Sequence, residues 1–384
     1  MFLRHQQEMA ANTVTILQRT RWTFRIWVFF SLGPILTLCN ILLYLNASYS
    51  IFPVPPGNSS VISASLGKSP GAIKTKPDVA VNPDHLTDFL EVERRIRERV
   101  ALLNKVCEAL PKPSKVAAKA TEERVNIRTE VLEEHKLMVC VVLKAGSTAW
   151  NAILAARYNK TDMLVTRLCY KMIKELMPSP SRFIEVAKSN EFSRILVVRH
   201  PLERLVSAYR NRLADPDVIG YQSQTYVPLI LAYTRGRSYS HKEIFNVAGR
   251  IQVIPTFKEF VSFLVEEEIQ EYDDHWTPIS YTCGLCYINY TAIIHTETYQ
   301  DDIRYIMRIS GLDTKVNPEL MNNYTNKANG HDTQDVLVSY YKQLEPILLR
   351  RIIEKFKLDF LLFGYDPNPL VQKIYPNMRV YLTP

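Results

Sequence analysis

Val139-Cys-Val-Val-Leu-Lys-Ala-Gly-Ser-Thr-Ala-Trp-Asn151 passes from one periodicity to another within a few residues. Leu137 to Leu143 is a short apolar run rich in β-branched side chains, which suits a strand buried on both faces. Lys144-Ala145-Gly146-Ser147-Thr148 follows, and Trp150, Ile153 and Leu154 then open a helical apolar spacing. A strand, a turn of small residues carrying one Lys and two hydroxyls, and a helix aim backbone N–H groups and a positive dipole end at an anion. The Walker A order Gly-x-x-x-x-Gly-Lys-Ser/Thr is absent. Plain strand–helix connections use the same small residues, so this stretch alone leaves both readings open.

Ile195-Leu-Val-Val-Arg-His-Pro-Leu-Glu-Arg-Leu-Val-Ser-Ala-Tyr-Arg210 repeats the pattern farther along. A buried strand delivers Arg199 to its carboxyl end, and Pro201 suits the first turn of a helix. Ser207 lies about two turns into that helix. In open α/β sheets ligands sit at the carboxyl ends of strands. Arg199 is able to contact a phosphate in bidentate fashion and Ser207 to add a hydroxyl donor. The competing structural role is an ion pair between Arg199 and Glu203 at the helix start.

Outward from these stretches, helical and strand patterns alternate. Helices are expected over 86–110, stopped by Pro111 and Pro113, and over 163–177, 202–213, 256–268 and 336–356, with another ending at Met307. Strands are expected at 137–143, 194–198 and 292–295. Lys112 to Glu134 reads as a polar loop with helical pieces, and Asp215 to Gln252 as a long functional loop region. The mixed charges on the helix at 86–110 read as a solvated face. The alternation predicts an α/β domain with a central parallel sheet flanked by helices.

The chain has 384 residues, 47% hydrophobic and 22% charged, with a formal net charge of +8 and a sequence pI of about 9.0. That size fits one large domain with extensions, or two domains. The basic balance fits an anionic ligand, a membrane surface or nucleic acid. Ile26 to Leu45 carries no charge and matches a hydrocarbon core of roughly 30 Å. Arg4, Arg19, Arg21 and Arg25 precede it, and no Lys or Arg occurs from Asn46 to Gly67. The positive-inside rule then gives a single-pass type II protein: a cytosolic tail at 1–25, a signal-anchor at 26–45, a luminal stem at 46–85 and the main domain at 86–384. A cleaved signal peptide is the other reading of the span, though its apolar stretch is long for one. This topology excludes nucleic acid as a partner. N-glycans are expected at the sequons Asn58, Asn159, Asn289 and Asn323, while Asn46 sits too near the bilayer.

Of six cysteines, Cys39 lies in the span, leaving Cys107, Cys140, Cys169, Cys283 and Cys286 for an oxidising lumen. Some should pair and one is left over; Cys283 and Cys286 either form a local disulfide or pair elsewhere. One Cys-x-x-Cys with neither a second pair nor a close His pair argues against a metal site.

Together the two anion-directed stretches resemble the two donor signatures of the Golgi carbohydrate sulfotransferases, in particular the branch of chondroitin and dermatan 4-O-sulfotransferases and the HNK-1 sulfotransferase. Cys140, Val142, Lys144, Gly146, Thr148 and Trp150 match the first signature. Leu143, Ser147 and Ala149 depart from it, and Val198 to Tyr209 matches the second. Thr256-Phe-Lys-Glu-Phe, Asp274-His-Trp-Thr-Pro, Cys283-Gly-Leu-Cys, Tyr290 to Glu297 and Asp359 to Tyr365 follow in family-like order.

The resemblance implies a P-loop-like sulfotransferase fold. It implies transfer of a sulfuryl group from 3′-phosphoadenylyl sulfate to a hydroxyl of an anionic glycan, such as the 4-O position of N-acetylgalactosamine in chondroitin or dermatan chains, without a metal. Leu143, Lys144, Ala145, Gly146, Ser147, Thr148 and Ala149 would hold the 5′-phosphosulfate. Arg199, His200, Pro201, Leu202, Glu203, Arg204, Leu205, Val206 and Ser207 would form the 3′-phosphate side, with His200 stabilising the loop. Lys144 would neutralise the leaving oxygen. His275, beside Asp273 and Asp274, is the expected base, against a packing role next to Trp276 and Pro278. Arg204, Arg210, Arg212, Arg235 and Arg237 are candidates for gripping an acidic polysaccharide. The three departures in the first signature keep a second reading open, a catalytically inactive Golgi glycan-binding descendant. A luminal ATP-dependent kinase is disfavoured by the missing Walker order.

Overall fold

The computed structural model describes residues 83–112, 114–165, 174–246, 248–317 and 333–383, all within the second of two compact units, Pro70–Pro384. The span at 26–45, the stem, Asn58, Asn323 and Cys169 lie outside the described residues. Among the described residues no helix is long and apolar enough to cross a membrane.

Four strands form one sheet in the order β1 (Thr129–Leu132), β2 (Leu137–Cys140), β3 (Ser193–Val198) and β4 (Ala292–His295). Strands β2, β3 and β4 are parallel, with Cys140 opposite Leu196 and Val198 opposite His295. β1 runs antiparallel to β2, placing Thr129 opposite Cys140, so the sheet is mixed rather than wholly parallel. The sequence reading missed β1 because four residues, Thr-Glu-Val-Leu, are too short to show a period. Only a short 3-10 turn, Glu133–His135, separates β1 from β2, and such a link permits only antiparallel pairing.

Period-2 alternation divides the buried side chains between two faces. Leu137, Val139, Ile195, Val197, Ala292 and Ile294 share one core cluster with Trp150, Ile153 and Leu154 of α3. Met138, Cys140, Leu196, Val198 and Ile293 share the other with Phe183 and Val186 of α4. The helices are α1 (Pro83–Ala109), α2 (Lys115–Asn126), α3 (Ser147–Arg157), α4 (Pro180–Lys188), α5 (Pro201–Arg212), α6 (Tyr221–Arg235), α7 (Phe257–Glu266), α8 (Tyr299–Ile309), α9 (Thr333–Tyr341), α10 (Pro346–Lys355), α11 (Lys357–Phe363) and α12 (Asn368–Ile374), besides shorter turns. The expected helix over 336–356 is two helices, because Pro346 starts α10 at its first turn. The region at 215–252 is not a loop: it holds α6, whose Val227, Ile230 and Leu231 are buried at helical spacing. Helix α7 starts with a capping box in which Thr256 and Glu259 satisfy each other's backbone N–H groups.

Glu130 of β1 lies in this apolar frame. Trp150 donates its indole N–H to Glu130 Oε2 at 2.6 Å, and Glu130 Oε1 is buried with no partner. Burial pushes the carboxyl up to about 7, against the opposing pull of the Trp150 hydrogen bond. Between its unfolded value of 4.5 and about 7, the folded protein holds a proton that the unfolded chain releases. Stability therefore falls as pH rises through that window. Glu130→Gln keeps an acceptor for Trp150 and removes the charge. It is expected to stabilise the protein by on the order of 1–3 kcal/mol above the window and not below it. Thermal melts on both sides of the window check this; an equal gain on both sides would refute it.

Candidate functional site

Because β2 and β3 are parallel, both leave the sheet at the same edge and deliver Lys144 and Arg199 side by side. The turn from β2 into α3 has two residues in the left-handed region, Lys144 at φ 67° and Gly146 at φ 79°. A Cβ at Gly146 would meet the Tyr299 ring at 3.0 Å, so both conformation and space favour glycine there. Lys144 has a Cβ and holds this conformation at a cost of roughly 1–2 kcal/mol, a strain typical of functional turns. The first N–H groups of α3 lack intrahelical acceptors and lie directly beyond this turn.

Positive charge is concentrated here. Lys144 Nζ donates to Asn211 Oδ1 at 3.0 Å, and Arg199 Nη1 approaches Lys144 O at 3.5 Å. Burial, then the charges of Arg212, Arg199, Arg204 and Arg210, push the Lys144 ammonium down to about 7. Glu203, 3.4 Å from Arg199, is the acidic side chain paired with this group. Residues 201–206 and 208–210 of α5 are buried, whereas Ser207 is half-buried, as a side chain on a ligand-facing stripe would be. His200 packs edge-on against Phe360 and Tyr365 with its Nδ1 buried, and burial pulls it down to about 4.

The opposite wall is the segment from Tyr272 to Cys283. Asp273 Oδ1 lies 2.6 Å from His275 Nδ1, and Asp273 Oδ2 accepts from Gln222 Nε2 at 3.0 Å. Burial works against the Asp273 charge, but these hydrogen bonds outweigh it and hold the carboxyl below its usual range. Arg212 Nε donates to His275 Nε2 at 2.9 Å. A guanidinium has no acceptor, so Nε2 carries the lone pair and Nδ1 the proton. Burial lowers the His275 pKa; the Asp273 hydrogen bond opposes this, while Arg212 and Lys144 add to it. His275 is thus within electrostatic reach of Lys144, in the neutral tautomer that a base needs.

Arg204 ties the two walls together. Its Nε donates to Leu143 O at 2.9 Å, Nη1 to Thr277 O at 2.6 Å and Nη2 to Asp274 O at 2.9 Å. Asp359 accepts from the backbone N–H groups of Ile279 and Ser280, both at 2.7 Å, holding the same segment from below. Two disulfides complete the frame: Cys140–Cys283 joins the end of β2 to the base segment, and Cys107–Cys286 joins α1 to the same loop. Cys283 and Cys286 therefore pair elsewhere and not with each other.

The cationic turn and the His–Asp pair are close enough for the Lys144 charge to act on His275. The profile of the Sulfotransferase family matches residues 128–366. The chain belongs to the sulfotransferase family. Sulfotransferase membership makes it an enzyme of this class and implies 3′-phosphoadenylyl sulfate as donor. The chain is 27% identical over 288 residues to carbohydrate sulfotransferase 14 of Danio rerio, covering 72% of this chain and 73% of that protein. It is 26% identical to carbohydrate sulfotransferase 10 of Gallus gallus, covering 70% and 74%, and 25% identical to carbohydrate sulfotransferase 8 of Mus musculus, covering 72% and 65%. No solved structure matches the chain. The residues present suit such a donor: the cations around Lys144 and the N-terminal end of α3 both favour an anion.

The structure brings Leu143 to Ala149, Arg199 to Ser207 and His275 to one edge of the sheet. It gives some of the arginines other tasks. Arg204, 2% exposed, is engaged by three carbonyls and has no surface to offer a polysaccharide, and Arg210 is buried too. Arg235 is held in a fork by Glu259, and Arg237 pairs with Glu243 over the Tyr239 ring. Four members of the site were not anticipated: Asn211, Gln222, Asp359 and the role of Arg212. Asn211 and Arg212 lie just beyond the second signature, which ends at Tyr209, and Arg212 was expected only as a candidate for gripping a polysaccharide.

Proposed function

We propose that this chain transfers the sulfuryl group of 3′-phosphoadenylyl sulfate to a glycan hydroxyl, with Lys144 as electrostatic catalyst and His275 as base. The observation that supports this reading is that the charge of Lys144 acts on His275 and that one guanidinium, Arg212, is hydrogen-bonded to His275 and acts on both. The α3 N–H groups and the Thr148 hydroxyl would bind the 5′-phosphosulfate; Arg199 and Ser207 would bind the 3′-phosphate. His275 Nε2 takes the proton of the acceptor hydroxyl as its oxygen bonds to sulfur. As the bond from sulfur to the bridging phosphate oxygen breaks, Lys144 neutralises the charge left there. Asp273 stabilises the imidazolium that forms, and Gln222 keeps Asp273 oriented. No covalent enzyme intermediate is required, so catalysis rests on positioning and charge.

The finer reading is 4-O sulfation of N-acetylgalactosamine in chondroitin or dermatan-type chains. The relatives named above span several carbohydrate sulfotransferases, and the sequence resemblance favours this acceptor. The charge asymmetry about 26–45 supports a single-pass type II protein with a tail at 1–25, a stem at 46–85 and a luminal catalytic domain at 86–384, and the family resemblance supports the Golgi as its compartment. Asn159 and Asn289 are exposed, as glycan acceptors must be.

Transfer assays with labelled donor and desulfated chondroitin, dermatan, heparan and N-glycan acceptors test the reading, with His275→Asn alongside. Wild-type transfer to N-acetylgalactosamine-containing chains, lowered about 10²–10⁴-fold in His275→Asn, is expected. Undiminished transfer by His275→Asn would remove it as the base.

A further inference from the structure

The hydrogen bond between Arg212 and His275 conflicts with the chemistry assigned to His275. A base accepts the hydroxyl proton on the nitrogen that carries the lone pair, and that nitrogen, Nε2, already accepts from Arg212 Nε at 2.9 Å. Once Nε2 is protonated, two donors would face each other across this distance. The ring has no second way to serve, because Nδ1 is engaged by Asp273 Oδ1 at 2.6 Å and the residue is buried. Arg212 must therefore leave for the base to act.

The surroundings indicate where it goes. Arg212 is hydrogen-bonded to His275, and it is also the largest of the charges acting on Lys144, so one guanidinium is close to both. The charged groups acting on His275 are Asp273 on its own segment, Arg212 of α5 and Lys144 of the donor turn, while the neighbouring Asp274 is paired with Arg128. An incoming phosphosulfate brings several anionic oxygens to this cation-rich space. A charge-assisted bond to one of them is stronger than a bond to a neutral imidazole.

We propose that Arg212 is a latch on the base, capping His275 Nε2 until the sulfate donor arrives and then turning to the donor's anionic oxygens. The base is then unmasked only when the donor is loaded, so an acceptor hydroxyl is not activated at an empty site. Arg212 acts on the reaction through His275 and is a positioning residue. This proposal rests on the assignment of His275 as base, which the His275→Asn assay tests independently.

The test follows His275 by ¹⁵N imidazole NMR in the full chain, its resonances assigned by their loss in His275→Asn. Without donor, the His275 titration midpoint in Arg212→Met is expected to lie about one pH unit or more above wild type, since a facing cation and a cap on the lone pair are both removed. With 3′-phosphoadenylyl sulfate bound and acceptor absent, that gap is expected to close, because Arg212 no longer caps the ring. No gap without donor, or a gap that persists with donor bound, overturns the latch. If Arg212→Met does not bind adenosine 3′,5′-bisphosphate, Arg212→Gln is measured in the same way and against the same outcomes. A merely structural role would not make the gap depend on donor.

Discussion

Lys144→Ala is expected to lower sulfate transfer about 10²–10³-fold at saturating donor, the usual loss when one preorganised charge-stabilising group is removed. The expectation comes from where Lys144 is held. Its backbone is in the left-handed region, its ammonium is anchored on Asn211, and four arginines press on it. The Asn211 hydrogen bond apart, these features disfavour a charged Lys144 in the folded protein. A lysine pushed down to about 7 by burial and by Arg212, Arg199, Arg204 and Arg210 contributes unfavourably to folding while it is charged. The unfolded chain holds that proton up to the ordinary value of 10.5, so the cost is complete below about 7 and fades as pH rises toward 10.5. Lys144→Ala should accordingly melt no lower than wild type near neutral pH. Lost transfer with undiminished melting separates a catalytic role from a structural one. The same depressed value makes donor binding proton-linked, because a bound anion restores the charged ammonium. Above about 7, donor binding should take up a proton and weaken by up to tenfold per pH unit. Calorimetry in buffers of different ionisation enthalpy reads that uptake, which Lys144→Ala should abolish. Full transfer by Lys144→Ala, or donor binding without proton uptake, would refute this account.

What could be read from the sequence follows from which interactions are local. The strands β2, β3 and β4 announce themselves as apolar runs because both sheet faces are covered, and α5 begins at Pro201 as written. Lys144 and Arg199 were legible because each lies within a few residues of a strand end, and Ser207 because it sits in the helix that Pro201 starts directly after one. β1 was not, since four residues pairing at an edge leave no period. Helix α6 was hidden by its Tyr, Gln and Thr residues and by Pro228 in its interior. The long-range ties were illegible for a different reason. Arg204 reaches 73 residues to Thr277, Ile279 reaches 80 to Asp359, and Cys140 pairs across 143. Such contacts are fixed by tertiary packing. A guanidinium gripping three carbonyls looks, in a sequence, like any other arginine beside a ligand site.

That hidden role makes Arg204 the site of the largest expected loss of stability. Its side chain is buried, and burial with the nearby Arg199 charge pushes its pKa down to about 10 against the pull of Asp359, so it remains charged at neutral pH. Arg204→Met would fill much of the volume but leave the carbonyls of Leu143, Thr277 and Asp274 without their donor. It would also leave the fully buried Asp359 facing no compensating cation. Removing one partner from such a network costs about 3–5 kcal/mol, or a fall in melting temperature on the order of 10 °C for a domain of this size. Arg204→Lys should recover little, because one ammonium does not reproduce a planar fork that reaches three carbonyls. Transfer should fall in both variants, since Leu143 precedes the turn that carries Lys144 while Asp274 and Thr277 flank His275. Thermal melts and transfer rates on both variants decide it. If Arg204→Lys kept both wild-type melting and wild-type transfer, charge alone would be sufficient at this position. Arg204 would then not be what sets the distance between Lys144 and His275, and the Cys140–Cys283 disulfide with the two Asp359 hydrogen bonds would have to carry that alignment.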